Sequence, residues 1–349
     1  MDRRVSRQVN VGKIKIGGDA PIAIQSMLNA PANDFVANLN QLKELENAGC
    51  EIVRMAVPDM EAVKVLGKLK ENSQIPLVAD IHFDYKLALE SLSAGVDKIR
   101  INPGNIGSSD KVFAVADACA LKGVPIRIGV NSGSVEKDLL EKFGGATPEA
   151  MVESAFRHIE LLENCGFYDT VISIKSSDVA NMVKAYTLVA ERCDYPLHLG
   201  VTEAGTERSS LIKSSVGIGS LLLNGIGDTI RVSITDTPVK EIYAARDILK
   251  AINLRVETPQ IVACPTCGRT KIDLVSLANQ VEDAVKNIKK PIKIAVMGCV
   301  VNGPGEAREA DIGIAGGDGC AVLFKKGEIL RKVPENEIVK ELLCEIDKI

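Results

Sequence analysis

Three of the nine cysteines in this 349-residue chain fall in two short, turn-rich stretches near its C-terminus. Cys264 and Cys267 lie in CPTCGRT, and Cys299 opens MGCVVNGPGE at its third residue. A Cys-X-X-Cys spacing lets two thiolates reach one metal or one corner of a cluster. Cys299 leads into Asn-Gly-Pro-Gly, a turn able to carry Glu306 back toward the same metal. Three readings compete on these residues. A thioredoxin-like redox pair has no need of Cys299. A structural zinc site usually closes with a fourth Cys or His, and only Cys320 lies nearby in sequence. An iron-sulfur cluster held by three thiolates, with a carboxylate or an open position on the fourth iron, would keep that iron exchangeable. Such an iron could bind substrate as a Lewis acid while the cluster passes electrons. Cys50, Cys119, Cys165, Cys193 and Cys344 lie in or beside helical segments and read as small buried hydrophobes.

A second constellation is basic. In KIRIN, Ile99 and Ile101 share one face of a strand, and Arg100 and Asn102 share the other. The same parity sets Arg127 and Asn131 apart from Ile126, Ile128 and Val130. It also separates Lys175 from Ile172 and Ile174, and Arg231 and Ser233 from their apolar neighbours. Gln25, Arg54, Asp80, His82 and His198 fall late in their own strands, with Glu203 just beyond in TEAG. A lone arginine of this kind is usually an exposed strand-end charge. Arg54, Arg100, Arg127, Lys175 and Arg231 come from five different strands, and gathering them unpaired would cost desolvation and repulsion that a polyanion relieves. Arginine forks match phosphate oxygens, and the loops NPGNIGSS and GVNSGS can add backbone amides. The expected ligand is therefore a small phosphate-bearing molecule, with His82 and His198 as binding or proton-transfer candidates.

The elements that must hold these residues follow from periodicity. Eight short β-branched runs recur between residues 22 and 234, beginning with IAIQSM, EIVRMAV and PLVADIH and ending with DTIRVSI. Between them lie amphipathic segments such as DFVANLNQLKELENAG, which ends on Gly49. Eight β/α units predict an α/β fold, a TIM (β/α)8 barrel, over residues 1–253. The dinucleotide-binding alternative is weak, because GIGSLLLNG lacks the third glycine of that fingerprint. QVNVGKIKIGG alternates like a hairpin and is expected to close the N-terminal end of the barrel. A small C-terminal α/β domain, predicted over residues 254–349, carries the cysteines.

Composition agrees with helix-covered parallel strands: 46% of residues are hydrophobic, only 3% are aromatic, and there is no tryptophan. A net charge of −4 gives no global reason to bind nucleic acid or a membrane surface. With no secretory signal and no long apolar span, the chain is expected to be cytoplasmic. Nine cysteines in such a chain argue against a disulfide framework.

VNVGKIKIGGDAPIAIQSM, ADIHFDYKLAL, KIRINPGNIG, RIGVNSGS, VTEAGT, CPTCGRT and MGCVVNGPGEA together span nearly the whole chain. This set resembles the 4-hydroxy-3-methylbut-2-enyl diphosphate synthase family in its two-domain bacterial form. The resemblance implies a two-electron reductive ring opening and dehydration of 2-C-methyl-D-erythritol 2,4-cyclodiphosphate, in the methylerythritol phosphate route to isoprenoids. It implies a 4Fe-4S cluster on Cys264, Cys267, Cys299 and Glu306, with Glu306 the exchangeable ligand, and electrons from ferredoxin or flavodoxin. Gln25 would join Arg54, His82, Arg100, Asn102, Arg127, Asn131, Lys175, His198, Arg231 and Ser233 around the cyclic diphosphate, with Glu203 as barrel proton donor. It further implies a head-to-tail homodimer. QSMLNAP departs from the family's usual Thr-Asn-Thr after QSM, so Leu28 and Ala30 lack hydroxyls there. A non-redox barrel transferase or lyase with a zinc-stabilised C-terminal module, and an iron-sulfur sensor without turnover, are the competing classes.

Overall fold

The computed structural model describes residues 2–299 and 307–349. Glu306 and the rest of the NGPGE turn lie outside the described residues. The chain divides into two compact units between Ile248 and Leu249. That division falls inside the helix Pro238–Ala251, ahead of the connector where the sequence pattern places it.

The first unit begins with a hairpin of β1 (Val9–Val11) and β2 (Ile14–Ile16), paired antiparallel. Val11 and Ile16 pack on Ala23, Ile52 and Val78 near the starts of three barrel strands, so the hairpin seals the N-terminal end of the barrel as expected. The N-terminal segment adds polar ties there. Asp228 is almost fully buried, and its carboxylate accepts from Arg3 at 2.8 Å, from the Ser6 hydroxyl at 2.8 Å and from the Leu197 amide at 2.7 Å.

Eight parallel strands follow: β3 (Ala23–Met27), β4 (Ile52–Ala56), β5 (Leu77–Asp80), β6 (Lys98–Ile101), β7 (Ile126–Asn131), β8 (Thr170–Lys175), β9 (His198–Leu199) and β10 (Thr229–Ile230). Each coincides with one of the eight β-branched runs. Their lateral order is β8-β7-β6-β5-β4-β3-β10-β9, and a bridge between Ile172 and Leu197 closes β8 onto β9. This is the expected TIM barrel. Tyr186 braces the closing seam, accepting from the Ile174 amide at 3.0 Å and donating to the His198 carbonyl. The outer helices start and stop where side-chain chemistry dictates. Asp34 caps Phe35–Ala48 through the Ala37 amide, and Gly49 ends it at φ 88°, a left-handed conformation that favours glycine.

The second unit is a five-stranded mixed sheet in sequential order, β11 (Gln260–Ala263), β12 (Lys293–Met297), β13 (Ile312–Gly316), β14 (Cys320–Lys325) and β15 (Glu328–Pro334). The first three strands run parallel, and the last two return antiparallel as the hairpin expected around KKG. Helices Leu274–Val285 and Ile338–Ile346 bury Leu277, Val281, Leu342 and Ile346 against the sheet residues Ile294, Ile312 and Leu323. Cys50 and Cys119 are buried, as expected for small hydrophobes, and burial pushes each thiol up to about 12. Cys165 and Cys193 are only half-buried and Cys344 is exposed, because the helix Ile338–Ile346 turns residue 344 away from its packed stripe.

Candidate active site

Register, more than sequence distance, builds the basic cluster in the barrel. Neighbouring parallel strands pair Asp80 with Arg100 and Arg100 with Arg127, so these three side chains form one row in the lumen. One layer nearer the N-terminal end, Met27 pairs with Arg54, Arg54 with Val78, and Val78 with Lys98. Nearer the C-terminal end, Asn131 pairs with Lys175. The predicted ring therefore forms, but deeper than a mouth: Arg127 and His198 are completely buried, and Arg100, Lys175 and Arg54 almost so.

The ring is not the unpaired set of cations that strand parity suggested. Arg100 donates to Asp80 at 3.1 Å, and Arg54 lies 3.5 Å from the other Asp80 oxygen. Burial favours a protonated Asp80 carboxyl, but Arg54, Arg100 and Arg127 outweigh it and hold the group far below the usual carboxylate range. Arg231, one residue beyond β10, forks onto Glu241 with bonds of 3.1 and 3.0 Å. Glu241 also accepts from the Ser26 hydroxyl at 2.8 Å and the Ile234 amide at 3.2 Å. Two carboxylates thus neutralise part of the ring. Glu241 arrives from the helix Pro238–Ala251, where the pattern marks only an amphipathic segment.

The remaining basic groups have no carboxylate within hydrogen-bonding distance among the described residues, although Asp80 still eases the burial of Arg127 from a distance. All three guanidinium nitrogens of Arg127 are buried without a hydrogen-bond partner among the described residues, as are both ring nitrogens of His198. Burial first, then Arg54 and Arg100, lowers the proton affinity of Arg127 far below its ordinary range. Burial first, then Arg127 and Lys175, does the same to His198, leaving a neutral imidazole. Lys175 is depressed by burial and by Arg54 and Arg231, and the Arg54 guanidinium by burial to about 10. Lys98 is completely buried beneath them, its side chain donating to Gln25 Oε1 at 3.4 Å, and burial with Arg127 depresses it too. Lys98 has the same strand parity as Arg100, a signal sufficient to find it.

Two glycines keep space for these side chains. A Cβ at Gly129 would lie 2.4 Å from Arg100 Nε, and one at Gly200 would lie 3.2 Å from Lys175 Nζ. The lumen is thus shaped around its cations. Asn102 is buried and spends its side-chain oxygen on the Gly104 amide at 3.1 Å, capping the short helix Pro103–Ile106. Asn131 and Ser233 are half-buried, and Ser134 closes a turn on the Asn131 backbone at 3.0 Å. Gln25 is buried with its amide nitrogen unpartnered among the described residues. His82 is exposed beside Phe83 in the loop after β5. Glu203 is exposed after β9 at φ 51°, a left-handed backbone that costs a non-glycine residue about 1–3 kcal/mol and is enriched at functional loops.

In the second unit, parallel pairing of Ala263 with Val296 brings Cys264 and Cys299 to the same edge of the sheet, at the C-terminal ends of adjacent strands. The Gly298 amide donates to Cys264 Sγ at 3.2 Å. Thr270 closes the CPTCGRT turn, its amide reaching the Cys267 carbonyl at 3.0 Å and its hydroxyl accepting from the Cys267 amide at 3.2 Å. Gly298 is tightly packed here, since an added Cβ would lie 3.0 Å from Thr270 and 3.1 Å from Leu274. Cys267 is exposed, and its thiol is lowered by the Arg269 backbone amide first and then by the Arg269 side chain. Soft thiolate donors on one sheet edge, one receiving an amide and one biased toward ionisation, suit an iron-sulfur cluster. No group of three or more His, Cys, Asp or Glu among the described residues is already drawn together for a metal. Cys320 opens β14 beyond β13, and its carbonyl accepts from Gly317 at 2.7 Å.

Known proteins correspond to both units. The family model described as the GcpE TIM-barrel domain matches residues 6–246, and the GcpE protein C-terminal domain matches residues 260–348. The chain belongs to the GcpE family. Within that family it is similar to the 4-hydroxy-3-methylbut-2-en-1-yl diphosphate synthase (flavodoxin) of Caldanaerobacter subterraneus subsp. tengcongensis, with 56% identity covering 99% of this chain and 98% of that one. The protein of the same name from Clostridium tetani is 54% identical over the full length of both chains. Among solved structures, a Yersinia pestis dihydropteroate synthase with a sulfonamide drug matches 71% of this GcpE-family chain and 100% of its own. Its TM-score is 0.50 at 14% identity, a likeness of barrel fold alone. Among the described residues of this family member, no helix is long and apolar enough to cross a membrane.

Proposed function

We propose that this chain converts 2-C-methyl-D-erythritol 2,4-cyclodiphosphate to 4-hydroxy-3-methylbut-2-enyl diphosphate, with reduced flavodoxin as the electron donor and the cytoplasm as its compartment. The observation that carries the reading is end-to-end identity of 54–56% with proteins named for that product and donor. The barrel chemistry supports it independently. Arg127 and His198 are buried with nitrogens unpartnered among the described residues, Lys175 is almost fully buried, and a diphosphate would supply acceptors for them. Arg54, Arg100 and Arg231 complete the recognition of the two phosphates, with Asp80 and Glu241 keeping their guanidinium planes in place. Gln25, Asn102, Asn131 and Ser233 line the same barrel, and His82 lies in the loop after β5, all as binding residues.

Counted on neutral acid forms, the ring opening takes in two electrons and two protons and releases one water. Cys264, Cys267, Cys299 and Glu306 would hold a 4Fe-4S cluster, which supplies single-electron transfer and a Lewis-acidic iron. The protein's own part is to hold the diphosphate through the lumen cations, exclude water from it, and deliver a proton. Glu203, exposed and on a left-handed backbone, is the proposed proton donor. His198, kept neutral by burial and by Arg127, is suited to accept a hydrogen bond, or a proton once an anion arrives. A head-to-tail homodimer completes the proposal. A non-redox transferase with a zinc module is not favoured, since the relatives are named as flavodoxin-dependent.

Full-length, cluster-loaded protein, reduced anaerobically with flavodoxin and given the cyclodiphosphate, is expected to release the allylic diphosphate. Intact cyclodiphosphate after reduction of the cluster would overturn the assignment.

A further inference from the structure

His158 is the one histidine of the three that strand parity does not place in the barrel lumen. It lies on the helix Pro148–Glu163, only 2% exposed, and touches two loops that carry proposed binding residues. Its Nε2 lies 3.1 Å from Glu136 Oε1, close but not aligned as a hydrogen bond, in the segment that follows Asn131 and the turn Ser132–Ser134. The same nitrogen would be 3.1 Å from a Cβ at Gly104, so the imidazole packs close to the turn whose amide Asn102 caps. One ring therefore contacts both the loop after β6 and the loop after β7. Glu136 is otherwise committed to its own helix, its carbonyl accepting from Leu139 and Leu140 at 3.1 and 3.0 Å. Burial alone would raise the Glu136 carboxyl, but His158 and then the Ser154 hydroxyl outweigh it and lower the group to about 2. Arg157, the nearest other cation on this helix, is turned to Asp138 through bonds of 3.0 and 2.6 Å.

We propose that His158 and Glu136 act as a latch that fixes the loops after β6 and β7 against the helix Pro148–Glu163, making both positioning residues for diphosphate binding through Asn102 and Asn131. The inference rests on the assignment of those two asparagines to the binding site. Physically, two βα loops that would each fray alone are pinned by one buried imidazole. The entropy of ordering them is then lost on folding and not on binding.

The test uses full-length protein and inorganic pyrophosphate as the probe, with binding followed by calorimetry and loop order by hydrogen exchange. His158→Leu and Glu136→Gln are each expected to speed exchange at residues 102–107 and 131–137 and to weaken pyrophosphate about tenfold, and the double variant to be no weaker than the worse single one. His158→Gln, whose amide can still reach Glu136, should recover most of the affinity. A purely structural role would lower stability without this rescue. Additive losses, or weakened binding with unchanged exchange in both loops, would overturn the latch. Arg127→Leu separates the two levels of failure. If it binds weakly while His158→Leu and Glu136→Gln bind normally, the latch alone is wrong; if it too binds normally, the reading of the lumen as the diphosphate site has failed, and the latch with it.

Discussion

The barrel lumen and the cysteine edge of the C-terminal sheet prepare for their ligands in opposite ways. In the lumen, the groups are buried and already in place: Arg127 and His198 have no hydrogen-bond partner among the described residues, and Gly129 and Gly200 leave room for their neighbours. At the cysteine edge the groups lie on turns, Cys267 is exposed, and the described donors are not yet gathered. A parallel barrel can hold uncompensated cations because its strands and helices bury enough apolar surface to offset the cost. Thiols cost little to leave in solvent, so the small sheet needs only to bring two strand ends together and let the ligand do the gathering. On the proposed function, binding energy would be stored as electrostatic strain in one region and released as coordination in the other.

The largest test of this contrast is Cys299→Ser. It should abolish the 4Fe-4S absorbance and turnover together, while the far-UV spectrum and the thermal transition of the barrel stay as in the parent. Cys320→Ser, on the same sheet but outside the proposed ligand set, should keep both. A brown, active Cys299→Ser protein would remove that residue from the ligands.

Next is Arg127→Leu, where function and stability should move in opposite directions. Loss of charge-assisted hydrogen bonds should weaken diphosphate binding by about 1.5–3 kcal/mol. Removal of a buried, unpartnered cation should at the same time raise the melting temperature of the ligand-free protein. A lower melting temperature would show that the lumen is not strained in the way described.

The smallest effect expected is in the pH dependence of stability. His198, Lys98 and Lys175 have proton affinities well below their ordinary values of 6.5, 10.5 and 10.5. Below those ordinary values the unfolded chain binds more protons than the folded one, so stability should rise with pH. For His198 the gain runs from its depressed folded value up to about 6.5, and for the lysines it continues toward 10.5. Saturating pyrophosphate should flatten the slope, because an anion restores the protonated forms. Urea midpoints between pH 6 and 8, with and without pyrophosphate, check this. Equal slopes would mean that the anion binds elsewhere.

Much of this architecture was legible in the residue pattern. All eight barrel strands coincide with the short β-branched runs, and all five cations of the ring lie in or directly beside those strands. Lys98 was legible too, since it shares parity with Arg100. Asp80 and Glu241 as counter-charges were not. Their roles depend on which residue of a neighbouring strand lies alongside and on how a later helix docks, and neither is a local property.

From the sequence alone, the recurrence of the apolar runs dictates the barrel, and the spacing of CPTCGRT and Cys299 supports the proposal of soft-metal chemistry. Only the tertiary structure decided that the ring is partly neutralised, that Arg127 and His198 remain without partners among the described residues, and that His158 reaches two loops at once. Periodicity is a property of neighbouring residues. The electrostatic balance of a buried charge depends on every group packed around it, and those groups meet only when the chain has folded.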